Sequence, residues 1–278
     1  MENEEKNRFQ IEKRMNRDFT LNKYRELCIA LCSHGYTVCT VADYLENHHS
    51  EEKIVILRHD VDRKLQHAVR MAEIEHEFGI KSSYYFRYNK SVFNPASIQR
   101  IADKGHEVGY HYETLDKAKG DYKIAIRIFE DELVKFREIA EVKTICMHGN
   151  PLTRWLNRDL WKEYDFRDFG ITGEAFLSFN DIPYFSDTGR TWTNKHKVKD
   201  YLPSAEPDCG GYEAGNVLKC TDDLIILLAS GRIRSAYILT HPERWSNGSV
   251  EWVISHSMDM AVNLIKTVFG LGERAQRC

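Results

Sequence analysis

Short apolar runs alternate along the chain with longer segments whose apolar residues recur at helical spacing. The runs have the length and the branched and aromatic content of β-strands; they include "KIVILRHDVD", "IKSSYYFRY", "HEVGYHYE", "VKTICMHG" and "SAYILTHPERW". Between the first two, residues 65–79 place apolar side chains near the helical period. The alternation predicts about six or seven βα units and an α/β protein with a mostly parallel sheet.

A separate unit precedes the first strong strand. In "FTLNKYRELCIALCSHGYTVCTVADYLEN", Thr20 is a suitable N-cap for a helix through about His34, and Gly35 ends that helix. We expect residues 1–50 to form an N-terminal helical extension packed on the main fold, and residues 51–278 to form one barrel domain. The stretch 191–220, with prolines, glycines and few apolar runs, predicts a long loop.

Composition and charge narrow the class of protein. The 278 residues are 42% hydrophobic and 12% aromatic, which suffices for a sizeable core. A net charge of −3 does not favour a nucleic-acid surface. No apolar run approaches the length of an integral membrane segment. The charged N-terminus without a signal-like stretch, and seven cysteines without a CxxC pair, lead us to expect a cytoplasmic protein. The oligomeric state is not predicted.

Titratable side chains fall at the carboxyl ends of the predicted strands. In a barrel of βα units these ends point to one face, where the chemistry of such barrels takes place. Their placement at successive strands is more informative than any single short motif. The residues are Asp60, Asp62, His111, Glu113, His148, Asp187 and His241.

The pair Asp60 and Asp62 has two interpretations. In an extended chain both carboxylates project to the same side, with Val61 opposite. Close carboxylates can divide the work of a hydrolytic site, one binding a divalent cation and the other accepting a proton from water. Considered alone, however, Asp-x-Asp is common by chance and equally describes the polar end of a buried strand.

Histidines extend the metal interpretation. His111 leaves its predicted strand on the same face as Asp62, and imidazole with carboxylate oxygen is a usual ligand set for zinc and related divalent metals. His241, after "YILT", could be a ligand or a general acid, since its ordinary pKa lies near neutrality. Trp245 could form the wall of a sugar-sized pocket or pack in the core.

From about Lys53 to Trp245 the sequence resembles the polysaccharide deacetylase (NodB-homology) superfamily, also called carbohydrate esterase family 4. The resemblance is carried by "RHDVD", "GHEVGYHYE", "CMHGNP", "YFSDTGRTW" and "ILTHPERW", in the family's order. It implies a distorted (β/α)7-type barrel that removes N- or O-acetyl groups from sugars with a divalent metal. Relatives with a similar core hydrolyse cyclic amides instead.

The resemblance implies roles for individual residues. Asp60 corresponds to the family's catalytic base, and Asp62 and His111 to metal ligands. His241 corresponds to the acid that protonates the leaving group, and Asp187 to the acid that orients this histidine. The implied cofactor is a divalent metal, zinc first, with Co, Ni, Mn or Fe as alternatives.

Two departures from the family pattern affect the metal site. The second metal histidine should lie four residues after His111, but that position is Leu115, which cannot coordinate. We take His148 as the third ligand, with Glu113 or His59 as alternatives. The family's arginine motif, which steadies the base, is replaced by "MHGNP". The whole pattern is that of a divergent branch with an altered site.

These features predict a metal-dependent hydrolase that removes an acetyl group from an acetylated sugar or a saccharide precursor. Arg190, Trp192, Trp245 and Tyr112 are the expected substrate contacts, with a backbone N–H near Tyr112 available to an oxyanion. Two alternatives stay open. One is a metal-dependent hydrolase of a non-sugar, cyclic amide. The other is a non-catalytic carbohydrate-binding protein on a decayed barrel, which Leu115 favours.

Overall fold

The structure is a computed structural model. It describes residues 17–47, 53–180, 182–192, 199 and 218–268, with side chains as far as residue 260 in the last helix. Residues 1–16 of the predicted N-terminal extension, and most of the predicted loop at 191–220, lie outside this described part of the chain.

Eight strands and eight α-helices alternate along the described residues. The first half contains α1 (Leu21–Ser33), β1 (Thr37–Cys39), α2 (Val41–Glu46), β2 (Ile54–Val61), α3 (Leu65–Glu77), β3 (Ser83–Phe86), α4 (Pro95–Ala102) and β4 (Glu107–Tyr112). The second half contains α5 (Thr114–Lys117), α6 (Tyr122–Arg137), β5 (Thr144–Met147), β6 (Gly173–Glu174), β7 (Tyr184–Ser186), α7 (Thr221–Ala229), β8 (Ser235–Thr240) and α8 (Ser249–Val268). Three short 3-10 helices cover Asn157–Lys162, Phe166–Phe169 and Pro242–Arg244.

All strand pairs in the described sheet are parallel. Seven strands follow one path in the order β6-β5-β4-β3-β2-β8-β7. The predicted fold class, a distorted (β/α)7-type barrel, is confirmed by this topology. Because the strands run parallel, their carboxyl ends meet at one face of the molecule.

Strand β2 lies at the centre of the sheet and is buried along its whole length. Its side chains alternate between two hydrophobic clusters. Ile54 and Ile56 pack in the larger cluster, and Val55 and Leu57 pack in the cluster that α1 and α3 also line. Arg58 and Asp60 continue the row of Ile54 and Ile56, whereas His59 continues the row of Val55 and Leu57. Their side chains therefore enter two different environments.

The N-terminal unit contributes a strand as well as helices. Thr20 caps α1 by accepting a hydrogen bond from the backbone N–H of Lys23, and Gly35 has the positive φ of 70° that a helix-ending glycine adopts. Strand β1 then pairs with the first half of β2. Three residues are too short for a strand to show a periodic pattern, so the sequence predicted only helices here.

In the segment "ITGEAFLSF" the strand β6 ends after only two residues. The buried carboxylate of Glu174 explains the early end. It accepts hydrogen bonds from the backbone N–H groups of Phe176 at 2.7 Å and Leu177 at 2.9 Å, which turns the chain, and from Met147 of β5 at 2.9 Å. Between β5 and β6 the chain forms the 3-10 helices Asn157–Lys162 and Phe166–Phe169.

No helix in the described part of the chain combines the length and the hydropathy needed to span a bilayer.

A buried polar network lies between α1, α3 and the sheet. Its centre is the carboxylate of Glu75 on α3, which is fully buried. The hydroxyl groups of Tyr24, Ser82 (2.6 Å) and Tyr84 (2.9 Å) donate to it, and Nε2 of His59 lies 2.7 Å away. Burial raises the pKa of Glu75, but the neighbouring histidines and hydrogen bonds outweigh burial and hold the pKa at about 2.

We predict that Glu75→Gln lowers the free energy of unfolding by about 3–5 kcal/mol near pH 7, since it removes one partner of a buried charged network. Because the folded pKa lies below the ordinary 4.5, this stabilisation is present above about pH 4.5 and lost as the pH falls through about 2. Urea denaturation measures the cost. The control is Glu77→Gln on the same helix, whose exposed pair with Arg25 is screened by solvent and contributes little. Equal effects of the two substitutions would contradict the prediction.

Candidate metal and catalytic site

The titratable residues predicted at strand ends are brought together by the fold. Asp62 directly follows β2, Glu113 follows β4, His148 follows β5, Asp187 follows β7 and His241 follows β8. His111 is the penultimate residue of β4. All of them therefore stand at the carboxyl face of the parallel sheet.

Asp60 is held by an arginine on its own strand. Residues 58 and 60 share one face of β2, so the guanidinium of Arg58 lies beside the carboxylate. Nε lies 3.0 Å from Oδ1, and Nη2 donates to Oδ2 at 3.1 Å. Arg58 is itself fully buried and also donates to the hydroxyl group of Tyr237 at 2.9 Å. The result is a two-point contact that fixes the Asp60 carboxylate and keeps it close to a permanent positive charge.

Asp62 faces two imidazole nitrogens. Its Oδ1 lies 3.3 Å from Nε2 of His111 and 3.5 Å from Nε2 of His148. This oxygen is buried and has no hydrogen-bond partner. Burial raises the pKa of Asp62, but the histidines His148, His111 and His241 outweigh it and hold the pKa well below its ordinary value. The ionised Oδ1 of Asp62 thus lies beside two imidazole nitrogens and is available to coordinate a cation.

His111 is oriented by a hydrogen bond through its other ring nitrogen, and the other ring nitrogen of His148 faces a carboxylate at ion-pair distance. Nδ1 of His111 lies 3.0 Å from the backbone carbonyl oxygen of Cys146, which can only accept, so Nδ1 carries the proton and Nε2 presents a lone pair. Nδ1 of His148 lies 3.3 Å from the carboxylate of Glu113. Arg87 donates to that carboxylate at 2.6 Å. Carbonyl and carboxylate groups orient metal-binding histidines in this way in many proteins.

The site of Asp62, His111 and His148 fits a divalent cation. Oδ1 of Asp62 stands 3.3 Å and 3.5 Å from the two imidazole nitrogens, close to the roughly 3.3–3.4 Å between ligand atoms bound tetrahedrally at about 2.0–2.1 Å. Two imidazoles and a carboxylate are a usual donor set for zinc and for other first-row metals. The unpaired Oδ1 of Asp62 is the clearest sign, since buried oxygens without partners are uncommon in folded proteins.

A different trio, Asp60, His111 and Cys146, brings its donor atoms within 4.8 Å of one another. Its chemistry suits a cation less well. Both oxygens of Asp60 already face the Arg58 guanidinium, and the thiol of Cys146 donates to them at 3.6 and 3.7 Å. A second positive charge there would be repelled by the arginine and would have to displace the thiol proton.

His241 is held by Asp187. Its Nδ1 lies 2.6 Å from Oδ1 of Asp187, and its backbone N–H donates to the same carboxylate. The indole N–H of Trp245 donates to Oδ2 of Asp187 at 2.9 Å, and the guanidinium of Arg244 donates to the backbone carbonyl oxygen of Asp187 at 2.7 Å. With Nδ1 engaged, the Nε2 nitrogen of His241 is the one available for chemistry.

The pKa of His241 is raised to about 9. Burial and the charge of Arg244 lower it, but the carboxylates of Asp187 and Asp62 outweigh both. His241 is therefore protonated at neutral pH, which suits a group that donates a proton.

His59 and Leu115 do not contribute to the ligand set. His59 continues the row of Val55 and Leu57 on the outer face of β2, where Nδ1 contacts the hydroxyl group of Thr240 at 2.6 Å and Nε2 faces Glu75. Leu115 is buried in the larger hydrophobic cluster. Glu113 contacts Nδ1 of His148, which is the ring nitrogen that does not face Asp62.

The residues predicted to contact substrate are largely enclosed. Trp192 is buried and its indole N–H donates to Thr221 at 3.1 Å, and Trp245 is fully buried against Tyr24. Arg190 is buried with Nε 2.8 Å from Asp259. The Tyr112 hydroxyl group donates to Glu174 at 3.1 Å. In the structure these four side chains are buried among protein partners.

Sequence reasoning missed three residues of the site. Arg58 was overlooked although it shares a strand face with Asp60, a signal that the period of two already contains. Cys146 had no motif to mark it. Glu243, two residues after His241, is a buried carboxylate whose two oxygens have no hydrogen-bond partner.

Comparison with known proteins gives matches only among solved structures. No family model matches the chain, and no curated protein sequence matches it. The matching structures include a family 4 carbohydrate esterase (CE4) pseudoenzyme from Bacillus anthracis, at 15% identity and a TM-score of 0.40 over 78% of this chain. The chain spans 63% of the pseudoenzyme, less than two thirds of its length.

Two further structures are a family 4 carbohydrate esterase from Bacillus anthracis and PdaA from Bacillus subtilis. Both are 12% identical, with TM-scores of 0.38 and 0.36, and they are covered over 83% of their lengths by 84% and 85% of this chain. The family retrieved is the one that the sequence motifs resemble. Identities and TM-scores at this level carry no activity over to this chain.

We predict that Asp187→Asn lowers the pKa of His241 in the metal-free protein from about 9 to 6.5 or below, because the carboxylate that raises it is gone. The pH titration of the histidine ring signals by NMR measures the shift. In the wild type, the stabilisation from this pair is complete below about pH 6.5 and is lost as the pH rises through about 9.

The matched control for this prediction is Asp259→Asn, which removes an acid paired with Arg190. It is expected to leave the His241 titration in place. A pKa that stays near 9 in the Asp187→Asn protein would show that another group holds the proton on His241.

Proposed function

We propose that this protein is a metal-dependent hydrolase that removes an acetyl group from an acetylated sugar or saccharide precursor. The observation that carries the proposal is the unpaired, ionised Oδ1 of Asp62 beside two oriented imidazole nitrogens. Asp60 and His241 flank that group as a proton acceptor and a protonated donor. Each of these three parts is needed for hydrolysis of an amide or ester by a divalent cation.

Asp62, His111 and His148 would hold the cation. In this assignment His148 replaces the family histidine that Leu115 has displaced, and Glu113 fixes the orientation of its ring. A bound divalent cation supplies Lewis acidity toward the acetyl carbonyl group and the attacking water. Zinc is the metal that we expect first, with Co, Ni, Mn or Fe as alternatives for the same donors.

Asp60 accepts the proton of the attacking water. Its carboxylate lies 3.8 Å from Nε2 of His111, next to the ligand group, and Arg58 keeps it in one orientation. Arg58 lies two residues before Asp60 on the same strand, and in this proposal it steadies the base as the arginine motif does in the family.

His241 completes the reaction from the opposite side. As the carbonyl carbon gains the water oxygen and the C–N or C–O bond breaks, the proton of His241 passes to the departing nitrogen or oxygen. Asp187 holds the imidazole through Nδ1 and balances its charge. The products are acetate and a free amine or hydroxyl group.

The substrate class is assigned from the motifs together with this machinery. An acetylated amino sugar or a saccharide precursor is the proposal, and a non-sugar cyclic amide would use the same residues. Acetate is formed only from the first class, so enzymatic measurement of acetate across N-acetylated and O-acetylated saccharides distinguishes the two. Ring opening of cyclic amides without acetate release would favour the second.

We predict that His148→Ala weakens the binding of Zn²⁺ by at least about 100-fold, because it removes a nitrogen that faces Asp62. Competition with a chromogenic chelator measures the affinity. His76→Ala, which changes an exposed histidine at the end of α3, is the matched control and leaves the affinity unchanged. Unchanged binding in the His148→Ala protein would remove His148 from the ligand set.

We predict that Asp60→Asn reduces acetate release by about 10²–10⁴-fold while the metal content stays at the wild-type level, because the proton acceptor is lost and the ligands are kept. Acetate release and metal analysis on the same preparation measure both. Asp103→Asn at the exposed end of α4 is the control. Undiminished acetate release in the Asp60→Asn protein would assign the base to another residue.

A further inference from the structure

His59 is a buried titratable residue of the central strand that the proposed mechanism leaves unused. It lies between Arg58 and Asp60 in β2 and is fully buried. Both of its ring nitrogens have partners on other elements. Nδ1 lies 2.6 Å from the hydroxyl oxygen of Thr240, and Nε2 lies 2.7 Å from the carboxylate of Glu75. The imidazole therefore connects α3 to β8 through the middle of the sheet.

The surroundings of His59 fix its ring in one orientation. The ring stacks on Tyr84 of β3 with centroids 4.3 Å apart, and Tyr24 of α1 packs edge-on at 6.0 Å. Glu75 is fixed in turn, because Ser82 and both tyrosines donate hydrogen bonds to its carboxylate. A shift of the His59 ring would thus require repacking against α1, α3 and β3 together.

The contact between His59 and Thr240 lies next to the two groups that move protons in the proposed reaction. Strands β2 and β8 are parallel neighbours, and these two residues are the final pair of the register between them. The residue after His59 is Asp60, and the residue after Thr240 is His241. The contact therefore joins the two strands at the point where the base and the acid leave the backbone.

We propose that His59 is a positioning residue: by bridging Glu75 and Thr240, it holds the strand end that carries His241 in place relative to Asp60. The inference rests on the proposed function, and it gives His59 a role without contact to metal or substrate. Catalysis depends steeply on geometry, and a misplacement of about 1 Å can slow a reaction about 100-fold. A contact that keeps the acid in place therefore acts on kcat more than on KM.

A purely structural role for His59 makes a different prediction. In that case a substitution lowers activity only as far as it lowers the fraction of folded protein. At temperatures well below Tm, the folded variants would then hydrolyse substrate at the wild-type rate. The positioning role instead requires that activity and stability change separately.

The first test removes the hydroxyl group at the far end of the contact. Thr240→Val keeps a branched side chain that suits a strand, whereas Thr240→Ser keeps the hydroxyl group. The probe is the N-acetylated saccharide that the Zn²⁺-loaded wild type hydrolyses fastest. We expect Thr240→Val to lower kcat for acetate release about 10–100-fold with KM within about twofold of the wild type. Thr240→Ser is expected to restore kcat to within about threefold.

A second substrate shows whether the acid is the group displaced. An amine needs a proton from His241 to depart, whereas the nitrophenolate of para-nitrophenyl acetate departs without one. We therefore expect Thr240→Val to hydrolyse this ester within about threefold of the wild-type rate. Equal losses on the two substrates would show that His241 is not the group held in place.

Two substitutions of His59 itself provide an independent test. An asparagine amide takes the place of Nδ1, and a glutamine amide takes the place of Nε2. His59→Asn thus keeps the contact with Thr240, and His59→Gln keeps the contact with Glu75. We expect kcat to be at least about fivefold higher in His59→Asn, although its Tm is the lower of the two because the buried carboxylate of Glu75 has lost a partner.

The matched control is Ser83→Ala at the amino end of β3. It removes a buried hydroxyl group that donates to the carboxylate of Glu107 at 2.6 Å, at the opposite end of the sheet from the site. We expect a lower Tm and a kcat within about twofold of the wild type, since a buried hydrogen bond is lost without a change at the carboxyl face.

Wild-type kcat in the Thr240→Val protein, or equal kcat in the two His59 variants, would overturn the positioning role and leave the proposed function in place. The His59 variants decide the question if Thr240→Val does not fold. A wild type that releases no acetate from acetylated saccharides would overturn the proposed function and this inference together.

Discussion

Strand β2 brings Arg58, His59 and Asp60 into the interior at almost complete burial, and an ionisable group is tolerated there only beside a compensating partner. The period of two along the strand decides which partner each receives. Arg58 and Asp60 share the inner face and neutralise each other, while His59 on the outer face meets Glu75. The rest of the site is arranged around these fixed pairs.

Beyond the end of β2, the buried ionisable groups are not fully compensated by neighbouring partners. Asp62 has two imidazole neighbours and an oxygen without a partner, and Glu243 has two such oxygens. Asp187, by contrast, accepts from His241 and Trp245. In the proposed metal site, the ligand position lost at Leu115 in the chain would be filled in space by His148, which β5 brings to the same face.

Sequence reasoning predicted the parallel α/β barrel and the strand-end placement of the acids and histidines, because strand pattern and parallel topology are enough to fix both. It put His148 first as the third ligand and kept Glu113 and His59 as alternatives, since a decision among them depends on which face of a strand each residue occupies and what stands behind it. For His59 the signal was present: its odd position relative to Arg58 and Asp60 turns it outward. The burial of Trp192 and Trp245 was beyond reach, because it depends on α1 packing over the end of the sheet.

The central claim is that His148 substitutes for a missing histidine in a cation site built on Asp62. Anomalous diffraction from a crystal of the full chain grown with Zn²⁺ tests it most directly. If Zn²⁺ binds at this site, one strong peak is expected about 2.0–2.2 Å from Asp62 and from Nε2 of both His111 and His148. A peak among Asp60, His111 and Cys146, or no peak at the carboxyl face of the sheet, would contradict it.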